Sequence, residues 1–206
     1  LADDAIFLER VLCNESGGVQ DQIAASFGGM NRINFNAEGY TVNPVIISPE
    51  RKKLLNRNLM LFFTGFSRLS SDIQVAAEKN LKSKQNQLLE MLSLVDDAEK
   101  ILTSKTDLEE FGRLLDYTWQ LKRGITDKVS TDSIDAVYSR ALQAGATGGK
   151  LLGAGGGGFL LFYVDPDKQE NVRKALENLL YVPFEFENGG TRVIHYTPES
   201  YEPVNA

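Results

Sequence analysis

Residues 148–163 read G-G-K-L-L-G-A-G-G-G-G-F-L-L-F-Y, with four consecutive glycines set between two apolar runs. Glycine loses more backbone freedom on folding than any other residue, so a run of this kind must supply something that other residues cannot. A flexible linker is the simplest reading, but the flanks oppose it. Leu151 and Leu152 before the run and Phe159 to Val164 after it are core-like, which places the glycines in a tight turn inside a packed unit. Successive glycines adopt φ values closed to other residues, turn several N–H groups toward one point and admit a ligand close to the backbone. The run is not a Walker loop, because no Gly-Lys-Ser/Thr follows it. From the residues alone, a turn that supports a ligand or loop and a strained structural turn both stand.

The rest of the chain predicts an α+β fold. Leu1, Ala5, Leu8 and Leu12 carry helical spacing, and residues 17–29 read as a second short helix between glycine pairs. Two β-like runs, Ile33 to Phe35 and Val42 to Ile47, flank the turn-like N-A-E-G, and R-K-K at 51–53 reads as a solvated connector. A domain boundary is expected near residue 56, giving parts 1–56 and 57–206. Residues 58–65 suit a buried strand. Helical spacing then appears around Ile73, Ala76 and Ala77, over Leu88 to Ile101, over Leu108 to Trp119, and over Ile134 to Leu142 with Gly145 as its cap. Phe159 to Val164 reads as a strand, Asp167 with Glu170 as a capping box, and Val172 to Leu179 as a helix. Phe184 to Phe186 and Arg192 to His195 read as closing strands. The expected order is one strand, four helices, then β-β-α-β-β, with a loose tail after Pro198.

Composition narrows the function. The 206 residues include 42% hydrophobic types, enough for a real core, and carry a formal net charge of −6 with no lysine or arginine cluster. Such a surface is unsuited to nucleic-acid phosphates or anionic lipid, so a small-molecule partner is expected, with no nucleic acid and no membrane. Cys13 is the single cysteine and cannot form an internal disulfide, which fits a reducing, cytoplasmic setting. It is expected to be a small core residue, as are Phe159, Phe162 and Tyr163. His195, the lone histidine, has no second ligand nearby in the sequence, so no metal site is expected and a surface or edge position is.

Asp21 lies at the head of the second helix in G-G-V-Q-D-Q-I-A-A-S-F-G-G. An aspartate there commonly caps the helix through backbone N–H groups. A carboxylate can also align a substrate hydroxyl, or take its proton, during phosphoryl transfer. Both roles are open to it.

These segments together carry a resemblance. A-G-A-T-G-G-K-L-L-G-A-G-G-G-G-F is similar to the third motif of the GHMP kinases, the superfamily of galactokinase, homoserine kinase, mevalonate kinase and phosphomevalonate kinase. G-G-V-Q-D-Q-I-A-A-S-F-G-G-M-N resembles the segment holding that family's catalytic aspartate. L-F-F-T-G-F-S-R-L-S-S-D-I and W-Q-L-K resemble the branch that acts on heptose 7-phosphate. The resemblance implies that residues 1–56 are the tail of an ATP-binding domain of the ribosomal protein S5 domain 2-like type. Residues 57–206 would then be a ferredoxin-like C-terminal domain with extra helices.

It further implies ATP and Mg²⁺ as nucleotide and ion, a sugar phosphate as acceptor, and Asp21 as the catalytic group. Gly18, Gln20, Thr64, Gly65, Arg68 and Ser71 are the implied substrate-binding residues, with Ser70 beside them at a helix start where an anion is favoured. The nucleotide side is the turn Gly153, Ala154, Gly155, Gly156, Gly157 and Gly158, kept free of side chains where the phosphate loop or the nucleotide comes close. That phosphate-wrapping loop does not occur in the sequence, nor does the basic partner of the aspartate. The chain is therefore expected to be the C-terminal part of a longer kinase, inactive by itself, with a heptose 7-phosphate anomeric hydroxyl as acceptor. Another small-molecule kinase of the superfamily, or a sugar sensor without turnover, remains an alternative.

Overall fold

The computed structural model describes residues 1–15, 17–65, 80 and 83–197. The chain opens with helix α1 (Ala2–Phe7), which widens into a π-helical turn over Leu8–Leu12, and continues through helix α2 (Gln20–Phe27). Strands β1 (Asn31–Asn36) and β2 (Gly39–Pro44) form an antiparallel hairpin with Ile33 opposite Val42. The turn is set by Asn36, whose Oδ1 accepts the Glu38 N–H at 2.9 Å, as a turn-forming Asn commonly does. Helix α3 (Pro49–Asn58) follows, with Pro49 at its first position and Ser48 capping it through Arg51 N–H.

The core is built on a four-stranded antiparallel sheet. Its strands are β3 (Leu59–Phe63), β4 (Gly148–Leu151), β5 (Phe159–Tyr163) and β6 (Leu180–Tyr181), in the order β4-β5-β3-β6. Around it lie helices α4 (Gln85–Thr103), α5 (Glu109–Arg123), α6 (Asp132–Gln143) and α7 (Gln169–Ala175). Because strand side chains alternate, the β3–β5 pair divides its apolar residues between two faces. Met60, Phe62, Leu160 and Phe162 join Trp119 and the α6 residues in one cluster. Leu59 and Tyr163 join Leu55, Leu102, Leu108 and Leu115 in the other. Helix α5 thus serves both clusters, with Leu115 on one side and Trp119 on the other.

Helix α5 and strand β4 come together through two glycines. A Cβ on Gly148 would lie 2.1 Å from the Gly112 carbonyl oxygen, and one on Gly112 would lie 2.9 Å from the Tyr163 side chain. Gly112 costs helical propensity in mid-helix, and the close backbone approach it permits is the compensation. Beside this crossing, Asn58 Nδ2 donates to Tyr163 Oη at 2.8 Å, while the buried Asn58 Oδ1 has no partner among the described residues.

Several expectations are corrected. Cys13 is exposed, and so are Leu1, Leu8 and Leu12. The amide of Cys13 bonds back five residues to Leu8 at 2.9 Å; a π turn holds more residues than an α turn, so a 3.6-residue stripe does not stay on one face there. The 51–53 segment is helix α3 rather than a connector. The capping box is not formed, because α7 is capped at Lys168 with no side-chain bond and ends by Leu176.

No closing strands form at 184–186 or 192–195. The Asn56 side chain holds the former instead, donating to Phe184 O and accepting from Phe186 N–H, both at 3.0 Å. A side-chain amide replaces a strand's ladder at that edge. Phe159 is 37% exposed at the mouth of the glycine turn, whereas Phe162 and Tyr163 are buried. His195 is exposed. The helix expected around Ile73 and the tail after Pro198 lie outside the described residues. Among the described residues, no helix is long and apolar enough to cross a membrane.

Candidate active site

Asp21 occupies the second position of α2, behind a non-helical Val19 that caps without a side-chain bond. It is therefore not the helix cap. Its carboxylate is exposed and makes no hydrogen bond or ion pair with the described residues, while the first helical turn favours a negative charge there. Two positions on, the fully buried Ile23 anchors the helix. The loop ahead of α2 is pinned by Arg10, which donates to Gly17 O. Gln22 donates to Glu9 through Nε2, and its Oε1 is buried without a partner among the described residues.

Facing this helix is the glycine turn. The cavity between them, of ≈ 610 Å³, is lined by Gly18, Gln20, Asp21, Gly153 and Ala154, together with others including Glu9 and Thr191. The structure thus brings together five of the residues singled out in the sequence from positions more than a hundred residues apart. Glu9, Gln22, Ser26 and Thr191 on the same wall had no signal of their own. Thr191 is placed there by its N–H and Oγ1, which donate to Ala25 O at 2.8 and 3.0 Å, a contact no local pattern announces.

Internal reasons account for most of the turn's glycines. Gly153, Gly155, Gly156 and Gly158 have φ of +73°, +127°, +71° and +100°, which side-chain-bearing residues rarely adopt. A Cβ on Gly155 would also lie 2.8 Å from Val129 O. Two turn amides are consumed internally, Gly156 N–H by Val129 O at 2.9 Å and Gly158 N–H by Thr64 Oγ1 at 3.1 Å. Thr64 in turn donates to Gly158 O through N–H and Oγ1, at 2.8 and 2.9 Å, so this buried residue fastens the end of β3 to the turn. The N–H groups of Gly153, Ala154, Gly155 and Gly157 have no partner among the described residues.

Gly155 to Gly158, Thr64 and Gly65 are not on the cavity wall; Gly65 is exposed with φ +74°. Arg68, Ser70 and Ser71 lie outside the described residues. Lys122, from the end of α5, donates its ammonium to Gly153 O. Among the described residues, no group of three or more His, Cys, Asp or Glu is placed to hold a metal ion. The unengaged turn amides are donors that suit the anionic oxygens of a nucleotide.

Residues 94–182 match the family described as GHMP kinases C terminal. A D-glycero-alpha-D-manno-heptose 7-phosphate kinase of Campylobacter jejuni is 35% identical over 179 residues, covering 85% of this chain and 52% of that protein. The crystal structure of a D-glycero-D-manno-heptose 1-phosphate kinase from Bacteroides thetaiotaomicron superposes with a TM-score of 0.64 at 29% identity, covering 92% of this chain and 52% of that one. A Campylobacter jejuni structure described as a putative sugar kinase gives 0.62 at 32% identity, covering 92% and 55%. The chain spans about half the length of these relatives. Residues 94–182 are thus a GHMP kinase C-terminal domain, and over most of its length the chain is similar to heptose phosphate kinases.

Proposed function

We propose that this chain is the C-terminal part of an ATP-dependent sugar kinase that phosphorylates the anomeric hydroxyl of D-glycero-D-manno-heptose 7-phosphate. The observation that carries the reading is the Asp21 carboxylate, without a partner among the described residues, on one cavity with Gly153 and Ala154. In this arrangement the acceptor hydroxyl lies against Asp21, which orients it and takes its proton as the new oxygen–phosphorus bond forms and the bond to the leaving ADP breaks. The free amides of the turn stabilise negative charge on the nucleotide side. The main ATP-binding groups and the Mg²⁺ ligands belong to the half of such a kinase that these residues do not span.

In this reading residues 1–56 end the ATP-binding domain and 57–206 form the C-terminal domain. The order β4-β5-β3-β6, with helices after β3 and β5, supports a ferredoxin-like core for the latter. A single exposed cysteine supports a reducing, cytoplasmic setting. The name of the 35%-identical relative supports the heptose phosphate as acceptor.

The test is Asp21→Asn in the full-length enzyme. The amide keeps the size and loses the basicity, so kcat is expected to fall by about 10²- to 10⁴-fold with the fold unchanged. A kcat within about threefold of wild type would remove Asp21 from the chemistry, because a general base contributes more than that.

A further inference from the structure

Lys122 ends helix α5 with its ammonium on the carbonyl oxygen of Gly153, a residue of the cavity wall. Lys150 stands on β4, the strand packed against α5 and leading into the glycine turn. Both lysines are only partly accessible, and neither has a carboxylate partner among the described residues. The neighbouring charges are committed elsewhere. Arg123 pairs with Asp135 at 2.5 Å, and Asp116, earlier on α5, accepts from Tyr138 Oη at 2.5 Å and Gln120 Nε2 at 3.2 Å. Two like charges withdrawn from water without a counter-ion are costly, and an anion between them removes that cost.

We propose that Lys122 and Lys150 form a phosphate-binding subsite at the foot of the glycine turn. Two cations suit a phosphate dianion, and the unengaged amides of Gly153, Ala154 and Gly155 belong to the turn whose Gly153 carbonyl Lys122 holds. The phosphate comes either from the sugar acceptor or from the nucleotide, and this choice of source rests on the kinase reading above; the subsite itself does not. Burial and the Lys150 charge push the Lys122 amine down to about 8, and burial lowers Lys150 as well. An anion favours the charged form, so bound phosphate raises the Lys122 titration midpoint. By the same linkage, phosphate binding weakens as pH rises through about 8.

The test is calorimetric titration of inorganic phosphate into the full-length protein and its Lys122→Met, Lys150→Met and Lys122→Arg variants. Each methionine variant is expected to bind phosphate roughly 10- to 100-fold more weakly, the loss of a charge-assisted hydrogen bond. Lys122→Arg is expected to retain binding and to lose its dependence on pH near 8, because guanidinium stays charged. It also provides a reading if a methionine variant does not fold. Unchanged phosphate affinity in both methionine variants with folding intact, or an Arg variant with the wild-type pH profile, overturns the subsite. A raised KM for heptose 7-phosphate alone assigns the acceptor as source, and a raised KM for ATP alone assigns the nucleotide; no change in either overturns a role in the reaction. Phosphate binding that survives failure of the Asp21→Asn test would leave the subsite standing while the kinase reading falls.

Discussion

Glycine is used in two ways within a few residues of this chain. At the α5–β4 crossing it removes volume, since any side chain on Gly148 would strike the Gly112 carbonyl at 2.1 Å. In the turn that follows it supplies dihedral freedom. A Cβ on Gly153 or Gly158 would meet nothing within 4 Å, and their positive φ is what excludes other residues. Gly155 combines both restraints, and Gly157 does not share the positive φ of its neighbours. The same letter in one short stretch thus marks a packing contact at one position and a backbone conformation at others.

This ordering can be broken by substitution. Gly148→Val is expected to have the largest effect, because the clash is with backbone on a packed helix and neither partner can rotate away; a loss of about 3 kcal/mol or more in urea-denaturation stability is expected. Retention of wild-type stability would mean that α5 can lift from β4. Gly155→Ala is expected to cost about 1–3 kcal/mol, from the positive φ and the approach to Val129 together. A null result there would show the turn to be pliable. Gly157→Ala is expected to change stability by no more than about 0.5 kcal/mol. If bareness at this position serves the nucleotide, its KM for ATP rises while the melting curve stays put. An unchanged KM would assign the whole run to backbone geometry.

What the sequence disclosed follows from how local each determinant is. Helix α6 was legible because its apolar spacing and its terminating glycine lie within one segment: Ile134, Val137, Tyr138 and Ala141 are buried, and Gly145, with φ of +113°, follows the last turn. Strand β5 was legible as an apolar run. Gly112 was not, because a side chain there would strike Tyr163, a residue of a strand far along the chain. Asp21 and the turn were individually visible, yet residues alone left each with two readings; their shared cavity is a tertiary fact. The stretch expected as a strand at 184–186 failed because Asn56, a single side chain in a helix, took the backbone groups that a strand would have paired.

One further consequence concerns mechanics. Arg51 in α3 spans the C-terminal end of α4, its guanidinium donating to Leu102 O at 2.9 Å, to Ile101 O at 2.6 Å and to Thr106 O. Arg32 in β1 grips the same helix through Asp96 and Glu99, at 2.6 and 2.9 Å. Both arginines precede residue 56, and all their partners follow it. Flexing the chain at residue 56 would have to strip both arginines from their partners while breaking the last turn of α3. Helix α4 is therefore a common anchor for β1 and α3, tying the chain before residue 56 to the chain after it.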